Sequence, residues 1–404
     1  MRTVTFISSL VLIFIIPWEG VIQLPSLGNA TKAIGFGVAA LWLAAIIITG
    51  RLRKPGLFHF VVALFVVWNA FTVFWSADPG RTAAHVLTLA QLLILSLILW
   101  DLYTSRAALL IGLQAYVLGA YVAVGGAVYN FFTGNDFYTY YERFSPGETN
   151  PDGFGFLVVL GIPLAWYLAS SESTSKISGL LKLVNYAYIP TAFLGLALSG
   201  TRTALIAAIP AMAFGIVSLS RLRLAVRITI FVLLTSSILI LLPQVQTLRS
   251  FQRFSTTATE LAEGSLNQRT FLWRDGLDSF EENPLFGVGS NMYRSVNSLG
   301  KVAHNSYLSV LVESGLVGFI LFGVILTMVV LQAWSQPKWD RRFWLTVLLV
   351  WAIGASTLTW EHRKTTWLFF SFVIASAALA SHQVETSPLL QRTKFEVKSF
   401  GRLR

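Results

Sequence analysis

The sequence predicts an all-α integral membrane protein of about twelve transmembrane helices with one large outward loop, and three observations carry that prediction. Charged residues make up 12% of the 404 residues and hydrophobic ones 55%, with a mean hydropathy of +0.65. Soluble domains carry about 25% charge, so these few charges cannot cover the surface of a water-soluble protein of this size. Apolar runs of about 17 to 25 residues recur, each long enough to cross a hydrocarbon core of about 30 Å. No alternating strand pattern repeats, and helices satisfy their own backbone in lipid.

The runs fall at 4–22, 33–49, 57–75, 82–100, 107–131, 153–169, 180–198, 203–220, 224–243, 305–333, 343–358 and 365–381. The first ends in Pro17-Trp18-Glu19-Gly20, which lacks a small-x-small cleavage pattern, and is read as a retained helix. A net charge of +11 raises the possibility of nucleic acid, but Lys and Arg sit in short clusters between apolar runs and act as topology signals. With the N-terminus cytoplasmic, eighteen of the thirty fall on the cytoplasmic side and six in short outward loops. Both termini are therefore expected in the cytoplasm. The organisation is nine spans over 1–243, an outward loop with short helices over 244–304, three spans over 305–381 and a basic tail over 382–404. That tail suits anchorage beside anionic lipid. No cysteine is present, which removes disulfides and thiolate chemistry.

Two outward segments exceed a simple turn. Phe132 to Asp152 is rich in Gly, Pro, Asn and Tyr, which suits a folded loop. Pro243 to Ala303 is far longer than the ~15 residues beyond which loops are functional or disordered. It contains RTFLWRDGLDSF, where Phe271, Leu272, Leu277 and Phe280 suggest an amphipathic helix.

Polar residues beside spans mark candidate sites because they are costly there. Arg202, preceded by Ser199, Gly200 and Thr201, opens the eighth span; it is either an interfacial Arg or a donor to an oxyanion flanked by hydroxyls. In the long loop Arg269 and Arg274 flank Trp273 and lead into ENPLFGVGSN, a turn back toward the membrane; the other loop charges read as a solvated face. The GVG there lacks the strand and spacing of a nucleotide loop. His304 opens HNSYLSVLVESGLVGF and is either a cap or a base, with Asn305 and Ser306 able to fix its tautomer. Glu313, deeper in that span, either serves the site or bonds a neighbouring helix. Glu361-His362-Arg363-Lys364 forms an outward turn suited to topology or lipid headgroups. No D-x-D pair, H-E-x-x-H group or Walker loop occurs, which disfavours a metal-dependent transferase or a nucleotide motor. Outward arginines suit a phosphate-bearing substrate held by guanidinium forks.

His304-Asn305, nine residues, Gly315, two residues and Gly318 resemble the motif of the O-antigen ligases, and SGTRTA, NPLFGVG and WSADPGR resemble strings of the wider O-antigen ligase and polymerase superfamily. This likeness implies a C-type (GT-C) glycosyltransferase that uses neither metal nor nucleotide, and no cofactor, in a bacterial inner membrane. Its donor would be a glycan on undecaprenyl pyrophosphate; its acceptor, lipid A-core or a growing glycan at the periplasmic face. His304 would be the base, Arg202, Arg269 and Arg274 would hold the pyrophosphate, and Ser199, Thr201, Asn305 and Glu313 would support them. The strings favour a ligase, with an exopolysaccharide-type polymerase next. A transporter of lipid-linked oligosaccharide and a non-catalytic scaffold are the readings from other classes.

Overall fold

The computed structural model describes residues 1–24, 28–137, 142–171, 176–222, 224–252 and 269–385, and those residues form a helical bundle. In chain order the helices are α1 (Arg2–Ile15), α2 (Ala30–Thr49), α3 (Leu57–Phe71), α4 (Pro79–Leu102), α5 (Arg106–Thr133), α6 (Pro151–Ser170), α7 (Lys176–Ser199), α8 (Arg202–Leu219), α9 (Leu224–Gln246), α10 (Arg249–Gln252), α11 (Arg269–Glu282), α12 (Ser306–Trp334), α13 (Lys338–Ala355) and α14 (Lys364–Glu385). A two-residue antiparallel ribbon pairs Gln23 with Asn29 between α1 and α2.

Among the described residues nine helices are long and apolar enough to cross a membrane: α2 to α8, α12 and α14. The chain is a multi-pass membrane protein. α1, α9 and α13 overlap the three other apolar runs of the sequence. α13 starts earlier than its apolar run, because Lys338, Asp340, Arg341 and Arg342 are already helical in its first turns. Of the expected basic tail, residues 386–404 lie outside the described residues, as do 253–268 of the long loop.

α6 is the hub of the bundle. After Asp152 it carries no charge, seventeen of its twenty residues are buried, and it packs against α5, α7, α8 and α13; a helix apolar all round belongs inside. Gly155 lets it approach the α7–α8 junction, since a Cβ there would lie 2.9 Å from Thr201. α12 packs on α3, α13 and α14, and α4 lies along α14.

Segments that the charge count assigns to one side do gather at one end. Arg2 pairs with Asp101 at 2.8 Å, and Trp42 Nε1 and the Arg53 amide donate to the same carboxylate at 3.0 and 2.8 Å. Arg106 pairs with Asp340 at 2.9 Å, and the Tyr167 hydroxyl donates to that carboxylate as well. The opposite end carries the described parts of the two long segments, 132–137 with 142–152 and 243–252 with 269–303.

Candidate functional site

α12 is broken where the sequence shows only an unbroken apolar run. Gly315 adopts φ 63°, ψ −170°, a conformation that favours glycine. A continuous helix would bond Leu316 N–H to Val312 and Val317 N–H to Glu313. Here the turn 284–289 takes both halves of that pair. Val288 and Gly289 donate to the carbonyls of Val312 and Glu313 at 3.0 and 2.9 Å, while Leu316 and Val317 donate to Pro284 and Leu285 at 2.9 and 3.4 Å. Trp68 Nε1 covers the Ser314 carbonyl at 2.8 Å. The turn is tied to α3 and the segment after it: Trp75 Nε1 donates to Gly287 at 3.1 Å, and Ser290 bonds Asn69, Thr72 and Thr82. The strings WSADPGR, NPLFGVG and the two glycines therefore meet. Gly315 allows the break, and Gly318 leaves room for Ser314 and Trp68.

Glu313 sits beside this break, buried, and accepts from the amides of Asn291 at 2.7 Å and Tyr293 at 3.2 Å. Its partner is not a neighbouring spanning helix but the chain between α11 and α12. From Tyr293 the connections continue: its hydroxyl donates to the Leu272 carbonyl of α11 at 2.6 Å, and burial pushes it far above the tyrosine range. Trp273 Nε1 donates to Ala303 at 2.9 Å, fixing the residue before His304. α11 is thereby docked against the chain that presents the histidine. Its buried side is Leu272, Gly276 and Ser279, with Phe280 half-buried, whereas Phe271 and Leu277 are exposed, so the expected apolar face is rotated.

His304 has φ 48°, left-handed backbone in a residue other than glycine, which costs of order 1 kcal/mol and points to a constrained position. Asn305 and Ser306 do not reach the imidazole to fix its tautomer. Asn305 caps α12, accepting from Tyr307 and Leu308 at 3.0 and 3.1 Å, and the Ser306 hydroxyl bridges the Leu358 carbonyl and the Trp360 amide. Burial, then the Arg269 guanidinium, hold the imidazole below the ordinary histidine range; Lys301 and Arg294 act the same way and Asp152 opposes them. A neutral imidazole near pH 7 is competent to accept a proton.

Arg269, half-buried at the start of α11, feels Asp152 and Arg143 as well as burial. Arg143 is the residue that sequence reasoning passed over. It is 4% exposed and donates through Nε to the Ser199 carbonyl at 2.6 Å, and through Nη2 to Asp152 at 2.6 Å and Thr201 Oγ1 at 3.2 Å. Its signal was present as an outward arginine inside the polar 132–152 segment. Ser199 and Thr201 are buried, so they brace Arg143; the left-handed Gly200 turns the chain between them against Ser250. Arg202 follows directly as the first residue of α8, half-buried. Arg274 is exposed, and the group it is seen to act on is its neighbour Asp275. Among the described residues no three His, Asp or Glu side chains group as metal ligands.

The fold and this cluster define a class: a polytopic helical membrane protein that gathers arginines, a carboxylate and a neutral histidine where loops meet helix ends. Residues 187–323 match the family model described as O-antigen ligase, which places the chain's likeness to the O-antigen ligase superfamily on the stretch from α7 through the break in α12. No curated protein matches the chain.

Proposed function

We propose that the chain is a membrane glycosyltransferase that moves a glycan from undecaprenyl pyrophosphate to an acceptor hydroxyl at the periplasmic face of a bacterial inner membrane. In this reading all twelve apolar runs span the bilayer in a GT-C arrangement, with both termini cytoplasmic. The carrying observation is that Arg269 and Asp152 both act on His304, while Arg269 also feels Arg143, which is bonded to Asp152, although these residues come from three separate segments.

The acceptor oxygen attacks the anomeric carbon as the bond from that carbon to the pyrophosphate oxygen breaks, which inverts the centre. The hydroxyl proton passes to neutral His304. The electron pair leaves with the pyrophosphate, whose growing charge Arg269 and Arg202 stabilise. A guanidinium cluster performs this without a metal ion, because the leaving group is already a stable anion on its lipid. Arg143, bonded to Asp152, Ser199 and Thr201, positions the junction from which Arg202 projects. Arg274, exposed, serves at most the approach of an anion.

The family match covers both branches of the superfamily, and the chemistry suits both. We favour the ligase, with lipid A-core as acceptor, over a polymerase of O-antigen or exopolysaccharide. A deletion strain tests both points. Long glycan accumulating on the carrier lipid while lipopolysaccharide stays bare supports a ligase; single repeat units support a polymerase. Unchanged banding, with no transfer by purified protein given lipid-linked donor and acceptor, removes the transferase reading.

A further inference from the structure

A groove that the cluster above does not use runs between α2 and α4, from a mouth near Lys32 and Lys364 down to Ile98, one turn from Asp101. It is a cavity of about 290 Å³ whose walls include Phe36, Ala39, Leu92, Leu95 and Ile98. From Thr88 to Ile98 on α4 it extends ten residues, about 15 Å of helix, or half a hydrocarbon core of about 30 Å. Its length is that of one leaflet. At its mouth stand Lys32, Arg363 and Lys364. Lys364 is taken up by Glu19 and Thr31, whereas Lys32 and Arg363 are exposed and make no ion pair within 4 Å among the described residues, Arg363 acting on Glu19 only at longer range.

A second cavity of about 290 Å³ shares Glu19, Asn29, Arg363 and Lys364 with the first. It is polar where the groove is apolar, lined by Gln23, Glu148 and Asn150 over a floor that includes Trp360. It abuts the first turns of α6 through Gly153 and Leu157. The same stretch of helix carries Asp152, bound to Arg143, and Trp360 is bonded through its amide to Ser306, two residues from His304. One continuous surface therefore passes from an apolar trench, across unpaired cations, into a hydrogen-bonding pocket beside the candidate centre.

We propose that this surface seats the acceptor as a phosphate-bearing glycolipid, with a hydrocarbon chain between α2 and α4, its phosphate at Lys32 and Arg363, and its sugars in the pocket above. The apolar length excludes a free sugar phosphate as the fitting ligand, and two unpaired cations at headgroup depth exclude a neutral lipid. Amide and carboxylate groups in the pocket suit sugar hydroxyls, which both donate and accept. The assignment as acceptor rests on the glycosyl-transfer reading; the lipid-phosphate site does not.

Retention of lipid by the full-length protein in detergent, read by native mass spectrometry, tests the site without turnover. The probes are phosphorylated lipid A-core, the same glycolipid after phosphatase treatment, and phosphatidylglycerol. Wild type is expected to retain the phosphorylated glycolipid at least tenfold over the other two. K32A/R363A, at two exposed unpaired positions, is expected to abolish that preference. Gly35→Leu fills the groove where an added Cβ meets nothing within 4 Å; it is expected to lower retention with the cations intact. In transfer assays K32A/R363A should raise KM for the glycolipid about tenfold and leave kcat and donor KM unchanged. Equal retention of phosphatidylglycerol overturns the glycolipid assignment, and undiminished retention in either variant overturns the site. Retention that behaves as expected in a protein with no transfer activity keeps the site and removes the transferase reading.

Discussion

The guanidinium of Arg143 lies 2.6 Å from the Asp152 carboxylate and joins the first outward segment to the start of the most buried helix. Arg143 is 4% exposed and the Asp152 side chain 25%, so the pair is desolvated on one side and wet on the other. Removing one member of a buried pair costs about 3 kcal/mol or more. Arg143→Ala is therefore expected to lower the melting transition in detergent markedly and to abolish transfer. Asp152→Asn keeps an acceptor for the arginine but leaves the buried guanidinium without its counter-ion, so it should be destabilised as well, though less than Arg143→Ala. Equal destabilisation by both would mean that charge, not the hydrogen bonds, holds the junction.

His304 supplies a pH signature. Burial and Arg269 disfavour the imidazolium, so the base becomes neutral at a pH below the usual 6.5. Transfer rate should rise with pH through that lowered value and then level off. Arg269→Gln removes one cation and so moves the acid limb upward, toward 6.5, besides lowering the plateau. His304→Ala should cost about 100-fold or more in rate with an unchanged melting transition. A limb that stays in place in Arg269→Gln would exclude coupling between the two groups.

Gly315→Ala meets two obstacles at once. The backbone at φ 63°, ψ −170° costs an L-residue about 1–3 kcal/mol, and a Cβ there would collide with the Leu285 carbonyl and the Gly287 amide. The variant is expected to insert but to lose the turn, seen as increased proteolysis between α11 and α12 and as lost activity. Gly323→Ala, in open space on the same helix, is the control and should behave as wild type.

Glu313→Gln retains one acceptor oxygen for two amides. Hydrogen exchange at Asn291 and Tyr293 should quicken, and transfer should fall through kcat, because α11 and His304 are tied to Tyr293. A raised KM with an unaltered kcat would place Glu313 against substrate instead.

What the sequence disclosed followed from simple physics. Apolar length marked the helices, and the run from Pro151 to Ser170, free of charge after Asp152, marked a buried one. Lysines and arginines marked the ends that Asp101 and Asp340 gather. Arg269 and His304 stood out as polar groups beside spans, and they do act on each other. Arg143 did not, because an arginine in a polar loop is unremarkable until its partners, 9 and 58 residues along the chain, are known. Arg274 looked equivalent to Arg269, but five residues on a helix of 3.6 per turn rotate a side chain well away from its mate. The break in α12 was hidden for a related reason: hydropathy registers side chains, and the event is one of backbone bonds supplied by a turn some thirty residues earlier.

The hydrogen-bond exchange between 284–289 and 312–317 makes those two stretches one unit of inheritance. An added or deleted residue within the turn would slip every donor past its carbonyl and strand polar backbone at membrane depth, where each unsatisfied group costs several kcal/mol. Variation in loop length among related chains is therefore expected upstream of Arg269, while the spacing from Asn283 to Gly318 should be kept to the residue even where side-chain identity drifts.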